Sequence, residues 1–303
     1  MMVDATFGDP PWLYRRMPHP VVLIGRAIDW LERRLLRPDN EAAIKRLAGV
    51  LLLALVLVVS AGAALAFKLF VGIAQWGWIA EGLVMCALLA QRSLVDHVRA
   101  VAHGLRQGLT EARREVALIV GRDPDRLDAA GVGRAAVESL AENLSDGVVA
   151  PLFWGVVAGL PGMLAYKAIN TLDSMVGHRN ERYREFGWAS ARLDDLANFA
   201  PSRLTGLLLC LVGGTPRHTL RIMRRDAPRH RSPNAGWPEA AMAAALDLRL
   251  AGPRVYAGQT VEDAWMGDGS PEAGPEAIER AIALAWRVWW LLLAAVAGAA
   301  LLA

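Results

Sequence analysis

Between residues 134 and 203 the chain sets two dense groups of carboxylates and carboxamides on either side of an uncharged run, 147–166. The first group is Glu138, Glu142, Asn143 and Asp146; the second is Asn170, Asp173, Arg179, Asn180, Asp194, Asp195 and Asn198. Such groups are costly to bury beside apolar segments, so their density reads as chemistry, a catalytic site at a membrane surface. Glu138, Glu142 and Asp146 stand at i, i+4 and i+8, which on a helix covers about 80 degrees. A stripe of that kind offers only oxygen ligands and suits a divalent cation, above all Mg²⁺. Asn170 with Asp173, and Asp194 with Asn198, form two further oxygen-bearing faces, while Arg179, Arg182 and Arg192 supply donors for phosphate or carboxylate. Together they match Mg²⁺-assisted phosphoryl transfer, where catalysis is mainly positioning and charge neutralisation. A solvated face laced with salt bridges is the competing reading, and it weighs most for 179–192.

The roles divide accordingly. Glu142, Asp146 and Asp173 are the expected metal ligands, and Arg179 and Arg192 the phosphate-binding cations. Asn143, Asn170 and Asn180 would orient substrate, and Asp194 or Asp195 would serve as the base. Glu138 and His19 complete the catalytic candidates; Asn198, Asn234 and Arg26 complete those for substrate or phosphate. His19 is the one histidine in a constrained setting, between Pro18 and Pro20. Asn234 belongs to SPNAGWPE, where backbone N–H groups beside a helix start offer a cradle for an anion. No P-loop, HExxH, GxSxG or GxGxxG is present.

The elements that must position these residues are apolar runs joined by arginine-rich connections. Hydrophobic residues make up 54% and charged ones 21%, a balance that becomes informative because the two kinds are segregated. The pattern is that of an all-α, polytopic integral membrane protein with about four or five transmembrane or re-entrant helices and amphipathic cytoplasmic helices. A formal charge of +3 gives no argument for nucleic acid. Residues 47–67 form an uncharged stretch of 21 residues, enough at about 1.5 Å per residue to cross a bilayer. Residues 69–90 make a second candidate span, broken only by Glu81, so 47–90 reads as a transmembrane hairpin. From Gln91 to Val116 apolar positions recur at steps of three and four with arginines opposite, which predicts one long amphipathic helix. After it, Asp123 is a good N-cap with Pro124 at the first position.

Pro151 and Pro161 should kink or interrupt 147–166, and a re-entrant segment there would keep both polar groups on one side. Residues 204–214 are short for a span, 215–287 are polar with ten arginines and a helix opened by Pro238 and Glu239, and 288–303 form a sixteen-residue apolar tail. Arginine placement puts the N-terminal segment, 91–146 and 215–287 on the cytoplasmic side. Cys86 and Cys210 lie in apolar runs and read as buried, inert thiols. Neither a basic leader nor an apolar h-region opens the chain, so no cleaved signal peptide is expected.

Seven stretches carry a family resemblance: FGDPPW followed by PHPVVLIGRAI, VGRDPDRLD, RAAVESLAENLSDGVVAPLFW, YKAINTLDSMVGHRNERYREFGWASARLDDLANFAPSR, SPNAGWPEAAMAAAL and AGPRVYAG. In type and order, over nearly the whole chain, they resemble the CobD/CbiB family of cobalamin biosynthesis, the adenosylcobinamide-phosphate synthases. Similar proteins usually begin with an apolar stretch before the GDP motif, where this chain has MMVDATF. The resemblance implies a single CobD/CbiB-like domain over 1–303: a polar motif segment (1–46), the hairpin (47–90), a catalytic core with membrane segments (91–214), a cytoplasmic segment (215–287) and the membrane tail. It implies a multi-pass enzyme of the cell (inner) membrane whose active site, made by both polar groups, faces the cytoplasm. Such an enzyme joins adenosylcobyric acid to aminopropanol or its O-phosphate as an amide, consuming ATP, with Mg²⁺ as the expected cofactor and other late corrin-pathway membrane enzymes as expected partners. Two other classes stay open: a Mg²⁺-dependent membrane transferase acting on a diphosphate-linked lipid, suggested by LDDLAN, and a non-catalytic transporter or scaffold.

Overall fold

Helix follows helix with few interruptions in the computed structural model, which describes residues 1–8, 18–121, 123–256, 259–261 and 263–302. In chain order the helices are α1 (Met2–Phe7), α2 (Pro20–Leu35), α3 (Ala42–Val71), α4 (Gly77–Ala87), α5 (Gln91–Gln107), α6 (Leu109–Val116), α7 (Ala129–Leu144), α8 (Ala150–Val176), α9 (Trp188–Ala197), α10 (Phe199–Val212), α11 (Pro216–Asp226), α12 (Gly236–Leu246) and α13 (Pro275–Leu302). A π-helical turn, Ser145–Val149, joins α7 to α8. Between α12 and α13 lie two short antiparallel pairs, Leu250–Ala251 with Trp265–Met266 and Arg254–Tyr256 with Gln259–Val261. Of the motif residues, 9–12, Arg122, Ala257 and Gly258 fall outside the described residues.

The protein is an all-α integral membrane protein. Among the described residues four helical stretches are long and apolar enough to cross a membrane: Ala42–Val71, Gly77–Gln107, Ala129–Val176 and Pro275–Leu302. Phe199–Val212 is apolar but shorter. The C-terminal membrane helix therefore starts well before the sixteen-residue tail read from the sequence, because the amphipathic turns from Pro275 onward continue the same helix.

Chain contacts gather into two units, each assembled from two separate stretches: Met1–Ala90 with Ala150–Asn198, and Gln91–Val149 with Phe199–Ala303. In the first, α2, α3 and α8 pack around Ile24, Ile28, Leu52, Val56, Leu172, Val176 and Phe186. Gly49 makes this possible, because a Cβ there would lie 1.8 Å from the Phe186 carbonyl oxygen. Tyr166 and Ile169 of α8 pack with Ala197 at the end of α9. Glu81 of α4 is paired with Lys68 of α3 at 3.8 Å.

Two expectations need correcting. The long amphipathic helix is two helices, α5 and α6, broken at Gly108 with φ 146° and ψ 165°, a backbone setting open in practice to glycine. Gly104 then lets the two helices close on each other, since a Cβ there would meet Ala112 backbone at 3.0 Å. In α8 the break lies at Ala158 and Gly159, where Gly159 takes φ 63° and ψ −159°, just ahead of Pro161. Pro151 produces no interruption: the helical stretch runs on through it from Ala129 to Val176, and the wider π-helical turn lies just ahead of the proline.

The second unit packs α5, α7 and α13 together, with α12 against α7, α10 and α11. Its core includes Val98, Val101, Ala136, Leu140, Ile278, Ala281 and Trp289. As expected, Asp123 caps the 3₁₀ turn Pro124–Arg126, accepting from Asp125 N at 3.0 Å. The longer helix α7 is capped by Asp128, which accepts from Gly131 N at 2.6 Å.

Candidate functional site

Within the first unit, the turn between α8 and α9 folds the sequence VGHRNERYREFGW back on itself. Asn180 Oδ1 accepts from Tyr183 N at 3.0 Å and holds this turn, so Asn180 has a structural use. Gly187 permits the close return, as a Cβ there would lie 1.7 Å from the Val176 carbonyl oxygen. Arg182 and Tyr183 are anchored together by Glu32 of α2, at 2.7 and 2.9 Å. The result is a cavity of about 300 Å³ whose walls carry Arg46, Arg179, Arg184 and Arg192 with Glu185 and Asp195.

Beside that cavity α9 presents Asp194 and Asp195. Asn198 Nδ2 donates to Asp194 Oδ2 at 3.0 Å, and Tyr166 Oη donates to Asn198 Oδ1 at 2.9 Å, which fixes the amide's orientation. Asp194 Oδ1 is buried and receives no hydrogen bond. Burial, reinforced by the nearby charge of Asp173, raises the Asp194 carboxyl to about 7, against the lowering pull of the Asn198 and Asn170 amides. Burial also pushes Asp195 up, opposed by Arg192 and Arg179. Arg192 reaches Asp195 at 3.5 Å. Asp173 is pinned by its own glycine: a Cβ at Gly177 would lie 1.9 Å from Asp173 Oδ1. Asn170, Asp173, Arg179, Arg192, Asp194, Asp195 and Asn198 thus lie together in one unit.

The remaining candidates have other surroundings. His19 Nδ1 accepts from Val21 N at 3.2 Å and caps α2, so Nε2 carries the proton given to the Ala87 carbonyl at 2.7 Å. Arg26 lies on the exposed side of α2. In the second unit Glu138 is buried and accepts from Ala251 N at 2.8 Å, supporting a residue whose φ is 59°. Glu142 and Asn143 are exposed, and Asn143 Nδ2 turns back to Ser139 O at 2.9 Å. Asp146 is half-buried within the π-helical turn, so the stripe expected of a regular helix is not continued through it. Asn234 Oδ1 meets Ser202 Oγ and Arg203, both at 3.3 Å, while Ser232 Oγ accepts from the N–H groups of Asn234 and Ala235. Those N–H groups are therefore already engaged in the loop.

Among the described residues no three His, Cys, Asp or Glu side chains gather as a protein-only metal shell. Mg²⁺ rarely needs one, as it is commonly held by one or two carboxylates together with substrate phosphates. The Asp173 carboxylate, near Asp194 and Asp195 and within reach of the Arg179 charge, fits that arrangement. Sequence reasoning passed over Tyr166, Arg46, Arg184 and Glu185. Tyr166 sat inside an apolar run and the others read as flanking charges; only folding brings them to the site.

The family model described as CobD/Cbib protein matches residues 1–285. The chain is 50% identical over 293 residues to the cobalamin biosynthesis protein CobD of a Sinorhizobium species, covering 94% of this chain and 91% of that one. It is 51% identical over 283 residues to the protein of that name from Rhodobacter capsulatus, with 93% and 89% covered. With the one from Brucella anthropi the identity is 49% over 313 residues, covering 100% of this chain and 95% of the other. No solved structure matches the chain.

Proposed function

The chain belongs to the CobD/Cbib protein family and has a role in cobalamin biosynthesis, and from that premise we propose that it is an ATP-dependent amide ligase of the cell membrane. The reaction joins the free carboxyl of adenosylcobyric acid to the amine of (R)-1-amino-2-propanol or its O-phosphate. The observation that carries this reading is the juxtaposition in one unit of an arginine-lined cavity with three aspartates.

Amide formation from a carboxylate needs the carboxylate oxygen converted to a leaving group. Transfer of the terminal phosphoryl group of ATP gives an acyl phosphate and ADP. The amine nitrogen then attacks the acyl carbon, the carbon–oxygen bond to phosphate breaks, and the amine gives up its proton. Arg179 and Arg192 hold phosphoryl oxygens through planar, bidentate donors. Asp194, buried and raised to about 7, takes the proton from the attacking amine near neutral pH. Asn198 and Tyr166 hold the Asp194 carboxylate in place. Asp173, beside Asp194, is the carboxylate fitted to Mg²⁺, which when bound would neutralise charge on the phosphates. Asn170, beside them, orients the acyl substrate.

The reaction itself is the test. Purified protein in lipid nanodiscs, given adenosylcobyric acid, ATP, Mg²⁺ and aminopropanol phosphate, is expected to release ADP together with the amide. Absence of both products under those conditions overturns the proposal.

A further inference from the structure

The cavity holds more cationic groups than the ligase reading uses. Arg46 comes from α3, at the edge of the apolar stretch that begins at Leu47, and Arg184 from the turn before α9. Both meet one carboxylate: Arg46 Nε lies 2.5 Å from Glu185 Oε2, and Arg184 Nε lies 3.6 Å from Glu185 Oε1. One acidic side chain, hydrogen-bonded to the Arg46 guanidinium and ion-paired more loosely with that of Arg184, lies where a phosphoryl group between two arginines would lie. Glu185 is mostly shielded, its side chain 19% exposed, whereas the two arginines are 56% and 76% exposed and reachable from solvent. Four guanidinium groups face two carboxylates in this cavity, so an anion entering it finds positive charge in excess.

We infer that Arg46 and Arg184 form a second phosphoryl-oxyanion subsite, in which Glu185 occupies the anion position until a soluble organic phosphate displaces it. This deepens the ligase reading, and rests on it only for the source of the phosphate: the polyphosphate tail of the nucleotide or the phosphate monoester of the amine. Both have the oxygens the subsite recognises. No covalent step is involved; Glu185 and the incoming phosphate compete for the same donors.

The experiment is titration calorimetry on the full-length protein in zwitterionic nanodiscs, with inorganic tripolyphosphate in one arm and ethanolamine phosphate in the other. Arg46→Ala and Arg184→Ala are each expected to weaken binding by about tenfold or more, the loss typical of a charge-assisted contact. Glu185→Gln, which keeps the shape and removes the competing charge, is expected to tighten it by a few-fold. Effects confined to tripolyphosphate identify the nucleotide tail as the source, and effects confined to the monoester identify the amine. Binding that ignores all three substitutions, in variants whose unfolding temperature is unchanged, overturns the subsite. So does a cavity that binds neither phosphate but retains anionic lipid in an Arg46-dependent way, because it would then be a headgroup site. An unaltered KM for both ATP and aminopropanol phosphate in Arg46→Ala and Arg184→Ala enzymes that still make the amide also overturns it, and leaves the ligase reading standing. Arg46-dependent phosphate binding in a protein that makes no amide does the reverse.

Discussion

Asp194 is the residue whose surroundings say most about the chemistry. A carboxyl raised to about 7 is half ionised at neutral pH, which suits a group that must accept a proton and release it again. If it is the base, Asp194→Asn should lower turnover by about 10²-fold or more, and the wild-type rate should rise with pH through the neutral range. Asn198 holds the value down by donating to the ionised form, so Asn198→Ala should move the acid limb of the pH–rate profile to higher pH; an unmoved limb would remove Asp194 from the role. The stability consequence has the opposite sign. A carboxyl raised from 3.8 to about 7 by folding stabilises the folded state below about 4, and that contribution is lost as pH rises through about 7. Asp194→Asn should therefore be more heat-stable than wild type at pH 8 while being less active. At Gly177, alanine would drive its Cβ into the Asp173 carboxylate, 1.9 Å away in ideal geometry, and a carboxylate shifted by about 1 Å commonly costs about 10²-fold in rate. Turnover of Gly177→Ala with an intact fold is the measurement.

At the scale of elements, the helices were legible because uncharged length and three-four periodicity report directly on burial in lipid or against a neighbour. Their interruptions were less so. Gly108 and Gly159 look like many other small residues in the sequence, and only their φ values of 146° and 63° show where the chain turns out of the helix. Pro161 announced a break, but placed it a few residues away from where the backbone absorbs it, at Ala158 and Gly159. Gly159→Ala should cost about 1–3 kcal/mol, since φ 63° with ψ −159° is essentially closed to residues with a Cβ. The drop in unfolding temperature in detergent measures it, and an unchanged value would mean the break moves freely along α8. The π-helical turn at Ser145–Val149 had no signal at all, and it altered the reading of Glu138, Glu142 and Asp146 as one stripe.

Over the whole molecule, the second polar group was the more legible of the two. Asn170 and Asp173 on α8, and Asp194 and Asn198 at the end of α9, lie at helical spacings, so local structure alone pairs each two, and the packing of α9 on α8 joins the pairs. Arg46 is more than a hundred residues away in the chain, and no periodicity ties it to Arg184. The proposed ligase consumes ATP, and on that proposal the cavity is expected to open to the cytoplasm. Simple alternation of spans would put 167–203 outside if 147–166 crossed fully, and the break at Ala158–Gly159 is the feature that allows otherwise. Glu181 is exposed on the turn beside the cavity. With Cys86 and Cys210 replaced, Glu181→Cys should react with a membrane-impermeant thiol reagent in inside-out vesicles and be protected in right-side-out ones. Labelling from the outer face would separate the cavity from the cellular pool of ATP, and the ligase proposal would fall with the topology.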